Sequence, residues 1–248
     1  VTSRLVATAI AGLAFLFAGC GNNSSTPTAP SGALQVTTTR AILRAGETLP
    51  LTVTGPGGAP VTGGTWTTSD ASVLTVSPAG IATATRAGRV TVTVTTGNAS
   101  GSLALRVVPD YQGTWTGGLA RPQITCSAAS PAALCAPGAQ TTGTLTLRVT
   151  QMGDQLTGTM VDSAEPNATI PVAGQVQSDD QLSLAGRLDT PVATPTTRIE
   201  VVTLRATQDA ILGTLTGSYQ WLVSRAPASG GALQADYSAQ VQFRDLKK

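Results

Sequence analysis

Apolar residues recur at every second position through most of this chain, in short runs cut by Gly, Pro, Asn and Asp. A period of two puts all the apolar side chains of a run on one face of an extended strand. A helix would need them three or four apart. Val90, Val92 and Val94 share one face, with Thr91, Thr93 and Thr95 on the other, and Leu103, Leu105 and Val107 repeat the pattern. Thr, Val, Gly and Ala dominate the composition, as strands and turns require. The chain is therefore read as all-β beyond its N-terminal segment, in two parts: a β-sandwich, then an eight-stranded antiparallel up-and-down β-barrel.

Residues 33–108 form the first part, punctuated by Gly-rich turns such as Gly55-Pro56-Gly57-Gly58. Short alternating runs with frequent turns are the sandwich pattern. Its centre reads Thr65-Trp66-Thr67-Thr68-Ser69-Asp70-Ala71-Ser72-Val73-Leu74-Thr75-Val76, then Ser77-Pro78-Ala79-Gly80-Ile81 and Ala87-Gly88. A Trp, a Ser-Asp before a Val-x-Thr-Val strand, a Gly turn and an Ala-Gly before the next strand resemble the bacterial immunoglobulin-like group 2 domain. Trp66, the only aromatic residue here, is expected in the core, and Asp70 is expected to close a turn. The one other acid in this part is Glu47, so a calcium site at Asp70 lacks a second carboxylate. The resemblance implies an exported protein in which the domain is a spacer or an adhesive module. A single copy favours the spacer.

Residues 110–248 contain eight strand-like runs, roughly 111–119, 142–151, 155–161, 168–177, 181–188, 197–206, 210–223 and 232–245. Met152-Gly153-Asp154, Ser178-Asp179-Asp180 and Thr207-Gln208-Asp209 are tight turns, and longer segments at about 120–141, 162–167, 189–196 and 224–231 alternate with them. Successive loops of a meander barrel fall at opposite ends, so this alternation gathers every long loop at one end. One face of the last run carries Leu233, Ala235, Tyr237, Ala239, Val241 and Phe243, and one face of the seventh carries Ile211, Leu215, Tyr219, Trp221 and Val223. The interior is expected to hold no charge before Asp245 at the rim. Small residues such as Gly158, Gly174, Gly186 and Gly217 fit either an apolar cavity or tight strand coiling.

Gly113-Thr114-Trp115 at the start of this part is similar to the opening of lipocalin and avidin-type (calycin) barrels. That resemblance implies an interior lined by Trp115, Tyr219, Trp221, Tyr237 and Phe243, which could hold a small apolar molecule. A biotin site is not expected, because Trp115 and Trp221 are the only tryptophans in this part. Cys126 and Cys135 fall in the long first connection, and an isolated pair in an exported protein reads as a disulfide. A metal site is the weaker alternative, since the chain has no His to complete it.

The N-terminal segment gives location. Arg4 precedes a 14-residue apolar run, Leu5 to Ala18, that ends at Gly19-Cys20. A membrane-crossing helix needs about 20 residues, so the run is signal-peptide sized. Leu16-Phe17-Ala18-Gly19-Cys20 resembles a bacterial lipoprotein signal with its lipobox. The resemblance implies removal of residues 1–19 and lipidation of Cys20. A membrane partner and a place in the cell envelope follow, at the outer membrane where the host has one, since Gly21 rather than Asp follows the Cys. Residues 20–32 hold no bulky apolar side chain and read as a tether whose extended reach is about 40 Å.

Chemistry is constrained by what the composition lacks. Without His there is no Ser-His-Asp or Cys-His arrangement, and the only lysines are Lys247 and Lys248. Asp154, Asp162, Glu165 and Asp189 are the loop carboxylates open to a hydrolase. Asp154 belongs to the tight-turn end and the other three to the open end, so the four are not expected to converge. With 15 basic against 13 acidic residues, no nucleic-acid partner and no cofactor are expected. The expected function is a non-enzymatic envelope lipoprotein whose barrel binds a small apolar ligand or an envelope component. The alternative is a structural or adhesive surface protein that makes protein contacts through its loops and immunoglobulin-like domain.

Overall fold

The computed structural model describes residues 33–248 apart from 129, 131, 140, 179, 191–195 and 228–230. The signal, Cys20 and the tether therefore lie outside the described residues. The first nine strands are β1 (Gln35–Thr37), β2 (Ile42–Arg44), β3 (Thr48–Pro50), β4 (Thr52–Thr54), β5 (Thr65–Thr68), β6 (Leu74–Val76), β7 (Ile81–Ala84), β8 (Gly88–Thr96) and β9 (Ala99–Val108). They form a four-stranded sheet in the order β2-β9-β8-β5, a three-stranded sheet β3-β7-β6, and the pair β1-β4. Val90, Val92, Val94, Leu105 and Val107 point into the space between the sheets and are buried with Leu43, Leu49, Leu74 and Ala82. The alternation read from the sequence is thus the alternation of an immunoglobulin-like core.

Asp70 closes its turn by accepting the Ser72 amide at 2.9 Å and the Ser72 hydroxyl at 2.7 Å. The Ser72 hydroxyl, with the amide behind it, holds that carboxylate below the usual range. Trp66 departs from expectation. It is half-buried at the edge of an aliphatic core, on a shallow cleft with Pro60, Val61 and Pro78. β5 is an edge strand, so its side chains are covered from one side only.

The remaining eight strands are β10 (Gly113–Cys126), β11 (Thr142–Met152), β12 (Gln155–Asp162), β13 (Ile170–Val176), β14 (Leu182–Thr190), β15 (Thr197–Asp209), β16 (Thr214–Arg225) and β17 (Gln234–Lys247). Each pairs antiparallel with the next, and β17 pairs with β10 to close the barrel. Apolar side chains face inward, and Thr116, Thr150, Gln240, Gln242 and Arg244 face outward. That polarity is the reverse of a membrane-spanning barrel. Among the described residues, no helix is long and apolar enough to cross a membrane.

Glycine serves coiling rather than a void. A Cβ on Gly158 would lie 1.9 Å from the Arg148 carbonyl oxygen, and one on Gly174 would lie 1.9 Å from that of Ser183. Adjacent strands approach there too closely for any side chain. Two ends of strands differ from expectation. β10 runs on through Cys126, well into the expected long connection, and β16 begins only at Thr214. Residues 210–213 are the turn itself, and Ile211 is 94% exposed at its tip rather than interior.

The tight-turn end of the barrel packs on the immunoglobulin-like part. Val108 and Tyr111 are buried in the barrel core, and Ile42 packs against it. Arg106 pairs with Asp180 at 2.7 Å, Arg44 with Asp110 at 3.1 Å, and the Tyr111 hydroxyl donates to the Asp180 carbonyl at 2.6 Å. Burial pushes the Asp110 carboxyl up, but Arg44 and Lys248 beside it bring it below its ordinary value. The long-loop end points the other way.

Candidate functional site

The long-loop end and the interior beneath it are the place to look for function, and β10, β12, β16 and β17 supply most of its side chains. Register sets their height. Near the tight-turn end, Trp115 of β10 lies opposite Leu147, and its indole N–H donates to the Tyr111 carbonyl at 2.8 Å. The Lys248 ammonium sits 4.9 Å from the centre of the Trp115 ring. Higher up, Leu119 and Gly217 flank Phe243 on β17. Tyr219 packs there, 6.2 Å from both Trp221 and Phe243 between ring centres. Tyr237 is at the top, where its hydroxyl accepts the Trp221 indole N–H at 3.2 Å and donates to Glu165 at 3.1 Å. The five aromatic residues expected to line the interior are therefore all interior. Tyr219, Trp221, Tyr237 and Phe243 come together, and Trp115 stands apart at the other end.

These five side chains are at most 3% exposed, and Leu145, Leu147, Met160, Ile170, Leu182, Leu204 and Leu215 are fully buried. A side chain beside a void large enough for water would keep accessible surface. Here the interior side chains fill the barrel against each other.

The interior is also charged, contrary to expectation. Arg121, on the inward face of β10 after Trp115, Gly117 and Leu119, forms an ion pair with Asp162, the last residue of β12. The two side chains are 1% and 0% exposed. Asp162 accepts further hydrogen bonds from the Ala164 amide at 2.8 Å and the Tyr219 hydroxyl at 2.5 Å. Arg121 also donates to the Thr142 carbonyl at 3.2 Å, and its Nε has no partner among the described residues. Burial, with the Asp162 charge behind it, pushes the Tyr219 phenol well above its ordinary range. Tyr219 is thereby held as a neutral donor.

A second cluster sits nearer the rim. Arg225 of β16 bridges Asp236 of β17 and Glu165 of the β12–β13 loop. Asp236, expected on the outer face, is 5% exposed. A register shift between Val223 and Ser224 inserts one extra residue in β17, so the alternation slips and Asp236 turns inward. Burial and the Glu165 charge push Tyr237 up in turn. Of the four candidate carboxylates, Asp162 and Glu165 both lie at the long-loop end, one in each cluster. Asp189 stands elsewhere, between Arg187 and Arg198 on the surface, and Asp154 is at the tight-turn end.

Chemically the two clusters are saturated rather than poised. Asp162 faces Arg121, the Tyr219 hydroxyl and the Ala164 amide, Glu165 faces Arg225 and the Tyr237 hydroxyl, and Asp236 is held by Arg225. Among the described residues, no group of three His, Cys, Asp or Glu could hold a metal. Cys126 and Cys135 form the disulfide, with Cα atoms 5.9 Å apart. It ties the end of β10 to a single 3₁₀ turn, Ala133–Cys135, and Leu134 of that turn packs down on the barrel core. Ala132 and Cys135 pack against the same core.

The fold of the first part agrees with a sequence comparison. Residues 33–107 match the family described as bacterial Ig-like domain (group 2). No curated protein matches the chain. Among solved structures, the chain is similar to surface layer protein SbsC, domains 1–6, at 14% identity and a TM-score of 0.26, over 82% of this chain and 32% of that one. It is similar also to the S-layer protein rSbsC(31-844), at 13% identity and a TM-score of 0.25, over 82% and 39%. The chain thus spans well under half the length of either, and likeness at that level carries no functional information.

Proposed function

We propose that this chain is a non-enzymatic envelope protein of the structural or adhesive kind. In this reading Cys20 carries the lipid anchor, the immunoglobulin-like part is a spacer, and the barrel is a solid mount for its long-loop end. The observation that carries it is the filled interior. Trp115, Tyr219, Trp221, Tyr237 and Phe243, the residues a carrier would offer to a ligand, are packed within a closed core. Arg121 and Asp162 occupy the route by which an apolar molecule would enter. Admitting one would strand a buried ion pair without its partners, at a cost of several kcal/mol.

Native mass spectrometry of the full chain tests this, together with Trp fluorescence across a panel of fatty acids and phospholipids. The expected result is a bare protein mass and unchanged emission. A co-purified lipid, or saturable quenching of Trp221, would establish the carrier reading instead. The anchor has its own test. Labelled palmitate should enter the wild-type chain and not Cys20→Ala.

A further inference from the structure

Cross-strand pairs on an exposed sheet face normally avoid like charge, which is destabilising when directly opposed. Arg89 of β8 and Arg106 of β9 are direct partners in the antiparallel register. They stand beside a cleft of about 430 Å³ on the outer face of the four-stranded sheet. Ser69, Thr91 and Ala104 line it too, with Ala41 and Ile42. Among the described residues, no acidic one lines it. Ser69 Oγ accepts the Thr91 amide at 3.0 Å, and the hydroxyl can still donate to a group in the cleft it lines. Arg106 uses Nη2 for both Asp180 and the Gln177 carbonyl of the barrel. Arg89 has no partner among the described residues.

We infer that this cleft binds a phosphate group. Two guanidinium groups on neighbouring strands, joined by a hydroxyl donor, match a tetrahedral oxyanion with several acceptor oxygens. A carboxylate, with two oxygens in one plane and a single charge, offers fewer acceptors to these three donors than a phosphate does. The site lies where the two parts of the chain meet, so an occupied cleft braces Arg106 and the β13–β14 turn it holds. The phosphate could be free or borne by a lipid head group, since the recognising chemistry is the same.

Calorimetric titration of the full chain with inorganic phosphate, against chloride at matched ionic strength, reads the site directly. Flotation with phosphatidylglycerol vesicles reads the lipid-borne form. Binding by either probe that falls by about tenfold or more in Arg89→Gln supports the site, as loss of a charge-assisted contact requires. The probe that binds identifies the source. Arg148→Gln, which removes an exposed barrel arginine, should leave binding unchanged. Asp180→Asn should tighten it several-fold by releasing Arg106, and Asn accepts the positive φ of 62° at that position. Failure of both probes to bind, or equal binding by wild type and Arg89→Gln, overturns the inference.

Discussion

Breaking the Arg121–Asp162 pair should cost far more when one partner is removed than when both are replaced. The two side chains are 1% and 0% exposed, so neither charge can recover its hydration if the other disappears. Arg121→Met leaves a buried carboxylate held only by Tyr219 and the Ala164 amide. Asp162→Asn leaves a buried guanidinium facing a neutral amide. Each single change should cost about 3–5 kcal/mol, the range for orphaning a buried charge. In the double variant no charge remains buried. The side-chain amide introduced by Asp162→Asn can accept the Ala164 amide through its oxygen and donate to the Tyr219 hydroxyl oxygen through its nitrogen, and Met replaces most of the arginine stem, so the cost should fall to about 1–2 kcal/mol. The singles would then sum to roughly 6–10 kcal/mol, giving a coupling of at least about 4 kcal/mol. Equilibrium urea unfolding followed by Trp emission measures it, in a Trp66→Phe background so that only Trp115 and Trp221 of the barrel report. Singles that cost under about 1 kcal/mol, as exposed pairs do, would refute the burial argument. So would two singles whose costs simply add.

Other parts of the fold make separate predictions. Replacing both Cys126 and Cys135 by Ser opens a loop of sequence separation 9 and should remove about 2–3 kcal/mol, seen as a lower thermal midpoint. Gly174→Ala puts a Cβ 1.9 Å from the Ser183 carbonyl oxygen, so it should cost at least about 3 kcal/mol or prevent folding, as circular dichroism would show. Ile211→Thr, at a site 94% exposed, should change stability by no more than about 0.5 kcal/mol in the same assay. Tyr219 and Tyr237 both have raised pKa values in the fold. Their contribution is complete below the unfolded phenol value near 10 and is lost above it, as the unfolded state ionises and the folded one does not. Stability should fall by roughly 1.4 kcal/mol per pH unit for each of the two. Absorbance at 295 nm should show them ionising only as the barrel unfolds, and free ionisation in the folded state would contradict the burial assigned to them.

Much of the architecture is legible in the sequence because it rests on period and loop length. The Val90-Val92-Val94 stripe, the alternation of tight and long connections, and the interior faces of the last two strands are consequences of extended geometry. The interior charge is harder to see. Arg121 and Asp162 each fall just past the point where the apolar run stops, so a strand ended at Leu119 or Val161 leaves both outside. Carrying the parity on through Trp115, Gly117, Leu119 and Arg121, and through Leu156, Gly158, Met160 and Asp162, puts both inside. Polarity marks a strand end poorly when the partner charge comes from another strand. Asp236 carries no such signal. Its inward turn depends on a one-residue bulge that shifts parity within β17, and nothing in the run from Gln234 to Phe243 announces one. Trp66 departs for a different reason, since aromatic size suggests a core site only where both sides of the strand are covered.

The buried clusters bear on what kind of barrel this is. Closing eight strands leaves an interior that side chains can just fill, and an apolar filling alone permits neighbouring strands to slip without exposing a charge. A slip by one residue at β10 or β12 would swing Arg121 or Asp162 to the opposite face and orphan its partner. The ion pair thus penalises wrong registers more than it rewards the right one, which is the best-attested use of buried charge. The rim cluster of Arg225, Asp236 and Glu165 does the same for β16, β17 and the β12–β13 loop. Both sit at the long-loop end, while Arg106, Arg44 and Asp110 hold the opposite end on the immunoglobulin-like part. A barrel built to open for a ligand would keep its mouth compliant. This one fixes register most firmly where its loops emerge, which supports the proposed reading of the barrel as a mount.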